Sequence, residues 1–275
     1  MAVSTTQGHD PKYTVQVLTR AVTALAAVAE AEGPLSLDDL GSATEINKPS
    51  LLRILRTLES ERLVRRSESG YALGPRVLEL SHGYLRGLAL DDVARPYMAD
   101  LARHTRQTVS LAIRDGLDVV YVAIEQAQQE IGIQGSVGAR HPVNATALGK
   151  VLLAGLDDDT LRATLDGQPL PRLTHRTITD PDALVRHLVL VRAQGYADDD
   201  EERGMGIRCV AAPIRRADGR VIAAMSIAGA IFHMTEDVVP EARARLVKAT
   251  DDISAAFGRR SSETTDRPHA LGATT

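Results

Sequence analysis

Tryptophan is absent, aromatic residues make up 3% of the chain, and there is a single cysteine, Cys209. Each shortage removes a class of answer. One thiol excludes an internal disulfide framework and fits a reducing cytoplasm. So few flat rings leave little on which the bases of a single strand could stack, which makes duplex DNA the better nucleic-acid target. No stretch approaches the roughly 18 consecutive apolar residues of a membrane span, and the N-terminal residues lack the apolar core of a signal peptide. The expectation is a soluble, cytoplasmic protein with no membrane partner. A net charge of −4 over 275 residues excludes a general polyanion binder, so any nucleic-acid contact must be local.

The usual catalytic signatures are missing as well. There is no Gly-x-Ser-x-Gly elbow, no P-loop, and no dinucleotide fingerprint after a strand. Among the eight histidines, His104, His141, His175, His187 and His233 included, none falls at the three- or four-residue spacing that puts two imidazoles on one metal from a helix. Cys209 lies in a predicted strand with no histidine near it in sequence and reads as a small buried hydrophobe. The acidic run at residues 198–202 lacks the glycine-centred spacing of a calcium loop, and most of it reads as solvated loop. No nucleophile is joined to a base, so neither an enzyme nor a cofactor or metal is expected.

What is present is concentrated in residues 36–73. Ser36-Leu37-Asp38-Asp39 fits a capping box and predicts a short helix through Leu40 and Ala43. Asn47 is a good N-cap for a second helix to about Glu61, with Pro49 in its first turn, where a missing N–H costs nothing. Leu51, Leu55 and Leu58 give that helix one core face. Its outward set is Lys48, Ser50, Arg53, Arg56 and Thr57, the mixture of cationic forks and short hydroxyls suited to phosphates and base edges. Residues 63–66 and 71–73 read as a hairpin or wing that would carry Arg65 and Arg66 along the sugar-phosphate backbone. From Lys48 to Arg66 six cations face two acids, a local excess on an acidic chain. A solvated surface helix is the bland alternative. Two capped helices followed by a basic hairpin argue instead for a winged helix-turn-helix, contacting duplex DNA through Asn47, Lys48, Ser50, Arg53, Arg56, Thr57, Arg65 and Arg66.

The other elements follow in order. Residues 1–12 read as a disordered tail. A helix over 13–31, with Leu18, Val22, Leu25 and Ala29 as its stripe and Ala21, Ala24 and Val28 filling it, is the expected floor of the head, which closes at residue 74. Residues 75–89 read as an apolar linker helix, with Val77, Leu80, Tyr84 and Leu88 in its seam. It packs either on its own head or in a contact between two copies, which a palindromic operator would favour. From residue 90 the texture is α+β: helices near 93–104, 146–154, 157–165, 180–194 and 235–257, hairpins around Asp115-Gly116 and Asp218-Gly219, and a short strand at 131–133. Residues 259–275 read as a disordered tail. A pocket that binds without reacting could draw on Thr146, Asp199, Cys209 and Ser226.

Four blocks of sequence resemble the IclR family of bacterial transcription regulators. They are residues 15–21 and 48–55 in the head, and residues 141–150 and 195–202 with 206–213 beyond it. The resemblance implies a winged helix-turn-helix, a linker helix and a GAF-like effector domain over 90–258 with an antiparallel sheet, assembled as homodimers that often pair into tetramers. By position it implies effector contacts at Ile131, Ile133, Ala147, Leu148, Asp199, Cys209 and Ser226. Ala228 stands where members that bind small 2-oxo acids carry a second serine, and Leu148 is bulkier than the small residue found there. Both departures point to a larger or more apolar acid, such as an aromatic one. The classes that stay open are a ligand-responsive regulator, a regulator whose second domain only assembles, and an enzyme with an ancillary DNA-binding head.

Overall fold

The computed structural model describes residues 13–88, 90–126 and 135–265, and the chain divides into two compact units at Gly87/Leu88. Ile131 and Ile133, with the short strand predicted around them, lie outside the described residues.

In the first unit, α1 (Gln16–Glu30), α2 (Leu37–Thr44) and α3 (Lys48–Ser60) are followed by the antiparallel pair β1 (Val64–Ser67) and β2 (Gly70–Leu73), and then by α4 (Arg76–Leu88). The helix starts follow the local chemistry. Ser36 Oγ accepts from Asp39 N, and the Asp39 carboxylate accepts from Ser36 N, so both limbs of the capping box are formed. Asn47 Oδ1 accepts from Ser50 N at 3.0 Å. α3 ends in a tight wrap in which Leu63 N donates to Leu58 O at 2.9 Å while Arg62 sits at φ 58°. Leu35 then pairs with Tyr71 through two backbone hydrogen bonds, an isolated bridge that ties the wing to the segment before α2. Gly70 makes this possible: it sits at φ 130°, and a Cβ there would lie 2.4 Å from Leu35 O.

The core of the first unit is Leu51, Ile54, Leu55 and Leu58 of α3, Leu40 and Ile46 of the preceding segment, Val64 and Tyr71 of the wing, and only Ala24 and Val28 of α1. The α1 stripe therefore differs from its sequence reading. Leu18 and Val22 are 63% and 67% exposed, because the face that meets α2 and α3 is the narrow one made by Ala21, Ala24, Leu25 and Val28. On α4, Leu78, Leu80 and Tyr84 are also exposed.

The second unit is α+β. One six-stranded antiparallel sheet runs β5 (Arg140–Pro142), β4 (Asp118–Glu125), β3 (Thr108–Asp115), β8 (Val221–Ala230), β7 (Ile207–Arg215), β6 (Ala197–Asp200). The Asp115-Gly116 signal does produce the β3–β4 hairpin, with Gly116 at φ 61°. On one face of the sheet lie α5 (Asp91–Thr105) and α9 (Val239–Thr265), packed on each other and on β3, β7 and β8. On the other lie α6 (Ala147–Ala154), α7 (Asp158–Leu165) and α8 (Pro181–Gln194), which share one apolar core with that face. Two elements depart from expectation. The acidic run is not solvated loop: residues 197–200 form β6, because their backbone pairs with β7. The last helix continues past Phe257 to Thr265, into the stretch read as tail.

Residues 146–150 set the geometry of the second unit. Thr146 caps α6 by accepting from Gly149 N at 3.0 Å. Gly149 rests so closely on the single 3-10 turn Val143–Ala145 that a Cβ would fall 2.2 Å from Val143 O. All eight residues of α6 are buried, so its first turn is fixed against the sheet by packing on every side.

Candidate functional site

α3 presents its polar residues as the sequence predicts. Ser50 is half-buried at its N-terminus, while Arg53, Arg56 and Thr57 are exposed at helical spacing along one side. Among the described residues Arg53, Arg56 and Arg65 enter no ion pair. Lys48 reaches Asp38 at 2.7 Å, with both side chains mostly in water, a contact of little energetic weight that a phosphate could displace. Asn47 spends its carbonyl oxygen on the cap, and Thr57 donates its hydroxyl to Arg53 O at 3.1 Å. On the wing Arg65 and Arg66 are exposed, and the Arg66 guanidinium lies 5.7 Å from the centre of the Tyr71 ring. Arg62, counted with the basic cluster, turns towards Glu79 at 3.6 Å, and Arg76 pairs with Glu61. The free positive charge is thus carried by α3 and the wing.

In the second unit the strand register assembles the predicted residues. Asp199 of β6 stands opposite Cys209 of β7, Cys209 opposite Ala228 of β8, and Ala228 opposite Thr108 of β3. Directly opposed residues share a face, so these four make one row. Ser226, two residues from Ala228, stands in the next row with Ala211 and Ser110. Ala147 and Leu148 belong to the same buried cluster as Cys209 and Ala228. Five of the seven proposed effector positions therefore converge where the start of α6 meets the sheet, and the other two lie outside the described residues.

This region is apolar, and its ionisable groups respond. Asp199 is 1% exposed, and burial raises its carboxyl to about 6 even though Oδ1 accepts from Glu202 N at 2.8 Å and Arg203 N at 3.2 Å. Burial, with the Asp199 charge behind it, pushes the Cys209 thiol up to about 12, so it offers no thiolate at neutral pH and acts as a small polarizable wall. Four nearby residues received no site role in the sequence reading. Lys150, fully buried on α6, donates to Asp198 O at 2.9 Å and pairs with Glu202. Its only sequence signal is that it is the lone charge in the small-residue helix. His141 and Arg203 meet at 3.0 Å between Nε2 and a guanidinium nitrogen, and the His141 ring lies 5.2 Å from that of Tyr121. Burial, reinforced by Arg203, lowers His141 to about 4, and burial raises Tyr121 to about 12. No spacing in the chain announces that trio.

The remainder of the acidic run is committed to arginines. Asp198 pairs with Arg243, Asp200 with Arg176 and Arg208, and Glu201 with Arg176. Among the described residues no three His, Cys, Asp or Glu side chains could hold a metal ion. A surface groove at the far end of α6, bordered by Ala154, Gly155 and Leu156, has both its arginines engaged: Arg192 on Ala154 O, Leu156 O and Asp158, and Arg215 on Gly219 O.

Residues 82–255 match the family model for the bacterial transcriptional regulator IclR C-terminal domain, and residues 17–68 match the IclR helix-turn-helix domain. The chain belongs to the IclR family. It is 32% identical over 246 residues to the HTH-type transcriptional regulator XynR of Escherichia coli K12, a match covering 89% of this chain and 98% of that protein. A crystal structure of a transcriptional regulator from Rhodococcus sp. RHA1 superposes with a TM-score of 0.79 at 35% identity, covering 90% of this chain and all of that one. An IclR homolog from Microbacterium hydrocarbonoxydans, crystallised with 4-hydroxybenzoate, gives 0.78 at 27% identity over 89% and 99% of the two chains. As an IclR-type protein the chain is a DNA-binding transcription regulator and not an enzyme. No helix among the described residues is long and apolar enough to cross a membrane.

Proposed function

We propose that this IclR regulator binds operator DNA as a homodimer and answers to a small carboxylic acid taken up between α6 and the sheet. In this reading residues 13–74 are the DNA-binding head, 75–89 the linker and 90–258 the effector and assembly unit. The observation that carries the effector reading is the buried cross-strand row of Asp199, Cys209 and Ala228 beneath the first turn of α6, with Ser226 alongside. It joins apolar walls to a few convergent polar groups, as small-molecule sites do. The relative from Microbacterium hydrocarbonoxydans holds an aromatic acid, which supports the class. The bulk of Leu148 and the methyl of Ala228 favour a ligand more apolar than a short 2-oxo acid. The exposed apolar residues of α1 and α4, Leu18, Val22, Leu78, Leu80 and Tyr84, supply surface for a second copy.

A thermal-shift screen of the full chain against aliphatic and aromatic carboxylic acids tests the effector reading. A ligand specific to the folded state, at about a hundredfold over its Kd, adds about 2.7 kcal/mol. If no acid moves the transition of a protein that still binds DNA, the second unit serves assembly only.

For the head, Asn47, Lys48, Ser50, Arg53, Arg56, Thr57, Arg65 and Arg66 are the proposed contacts. Arg53→Ala is expected to weaken binding to a DNA site selected from random sequence by about 1–3 kcal/mol, one bidentate base contact, and to weaken nonspecific DNA much less. Fluorescence anisotropy on both DNAs measures this. Equal losses would reduce Arg53 to a phosphate contact.

A further inference from the structure

We infer that Arg203, steadied by His141, is the residue that takes the effector's carboxylate and so restricts this regulator to anionic ligands. The inference rests on the effector reading above and adds to it the group that recognises charge.

Arg203 follows β6 in the bend at residues 201–204, and its backbone N–H is tied to Asp199 Oδ1. Each of its acidic neighbours already has a cationic partner: Asp198 has Arg243, Asp200 has Arg208, Glu201 has Arg176 and Glu202 has Lys150. Arg203 has no such partner. It is half-buried, enters no ion pair among the described residues, and its guanidinium rests on His141. That imidazole is neutral, because burial holds its pKa near 4. It accepts one hydrogen bond at Nε2 and cancels none of the charge. A cation partly withdrawn from water without a counter-charge carries a desolvation cost, and among the described residues four of the five guanidinium N–H donors have no protein acceptor.

The direction of the charge is also informative. The positive charge of Arg203 favours the ionised forms of both Tyr121 and Cys209, so its field reaches the wall of the proposed cavity. Tyr121 stacks obliquely on His141 and leaves an apolar ring beside the fork. A carboxylate meeting the fork in bidentate fashion would supply the missing counter-charge with matched geometry. His141 acts as a positioning residue: it holds the fork in one orientation without competing for its charge.

The test is isothermal titration of the full chain with matched pairs, benzoate against benzamide and butyrate against butyramide, for the wild type and for Arg203→Gln, Arg203→Lys and His141→Gln. Acids are expected to bind the wild type at least tenfold more tightly than their amides. Arg203→Gln should weaken acid binding roughly 30-fold or more, the loss that follows truncation of one partner in a buried charge pair, and leave amide binding nearly unchanged. Arg203→Lys, a point charge in place of a planar fork, should fall between, and His141→Gln should cost less than Arg203→Gln. Amides that bind the wild type as well as the acids do would overturn the anchor while sparing the cavity, as would full acid affinity in Arg203→Gln. Should Arg203→Gln fail to fold, the acid–amide ratio in the wild type and the lysine variant still decide. If neither acids nor amides bind the wild type, the effector reading falls with the anchor.

Discussion

Replacing Lys150 by alanine is expected to destabilise the second unit by about 3–5 kcal/mol, the usual cost of removing one member of a buried ion pair. Lys150 is completely buried, and its ammonium joins Glu202 and Asp198 O, tying α6 to β6 and the bend after it. Without it Glu202 is left buried. Burial already raises the Glu202 carboxyl, Lys150 is the first restraint on the rise, and Oε2 has no hydrogen-bond partner among the described residues. The carboxyl of Glu202 in the variant should therefore be raised further and hold its proton to higher pH than in the wild type, and the methylene stem of Lys150 leaves a cavity as well. Adding Glu202→Gln to Lys150→Met, which keeps the volume and removes both charges, should recover much of the loss. Urea denaturation of the single and double variants gives the coupling directly. A loss under about 1 kcal/mol for Lys150→Ala, within the range of an exposed pair, would mean that water reaches this pair in solution.

The contrast between head and second unit shows what a linear chain reveals. In the head the deciding interactions span three or four residues: Ser36 with Asp39, Asn47 with Ser50, and the leucine spacing of α3. They are local, so they are legible. α1 was half legible, because periodicity finds an apolar face without saying what covers it, and Leu18 and Val22 are left uncovered within the unit. In the second unit the hairpins around Gly116 and Gly219 announce themselves by turn chemistry. β5 is only three residues long, and β6 is almost entirely acidic; each exists because a neighbouring strand pairs with it, not because of its own residue pattern. Charge density alone made Asp198–Asp200 look like solvated loop, whereas arginines at 176, 208 and 243 neutralise two of those acids and Asp199 turns inward. Lys150, His141 and Arg203 were missed for the same reason. Their partners lie 52 residues away for Lys150 and Glu202, and 62 for His141 and Arg203, and no periodicity reaches that far.

Asp199→Asn is expected to make the ligand-free protein more stable at pH 8, with the gain disappearing in acid. The folded-state pKa of Asp199 is raised from 3.8 to about 6, mainly by burial. Between those values the folded chain keeps a proton that the unfolded chain has already lost, so stability falls as pH rises through the window. Below about pH 4 both states are protonated and no penalty remains; above about pH 6 the penalty is complete. At 1.36 kcal/mol per pKa unit it is on the order of 3 kcal/mol. Asparagine keeps the carbonyl oxygen that accepts from Glu202 N and Arg203 N, and it has no charge to bury. Its amide hydrogens need acceptors in a region with few, so the net gain should be somewhat smaller than the full penalty. Urea midpoints for both proteins at pH 4, 6 and 8 decide the matter. The expected pattern is two curves that diverge from about pH 4 upward and hold a constant separation above about pH 6, with the variant on top. Parallel curves would show that Asp199 titrates alike in the folded and unfolded chains, and that its carboxylate is solvated through the same cavity that is proposed to admit the effector.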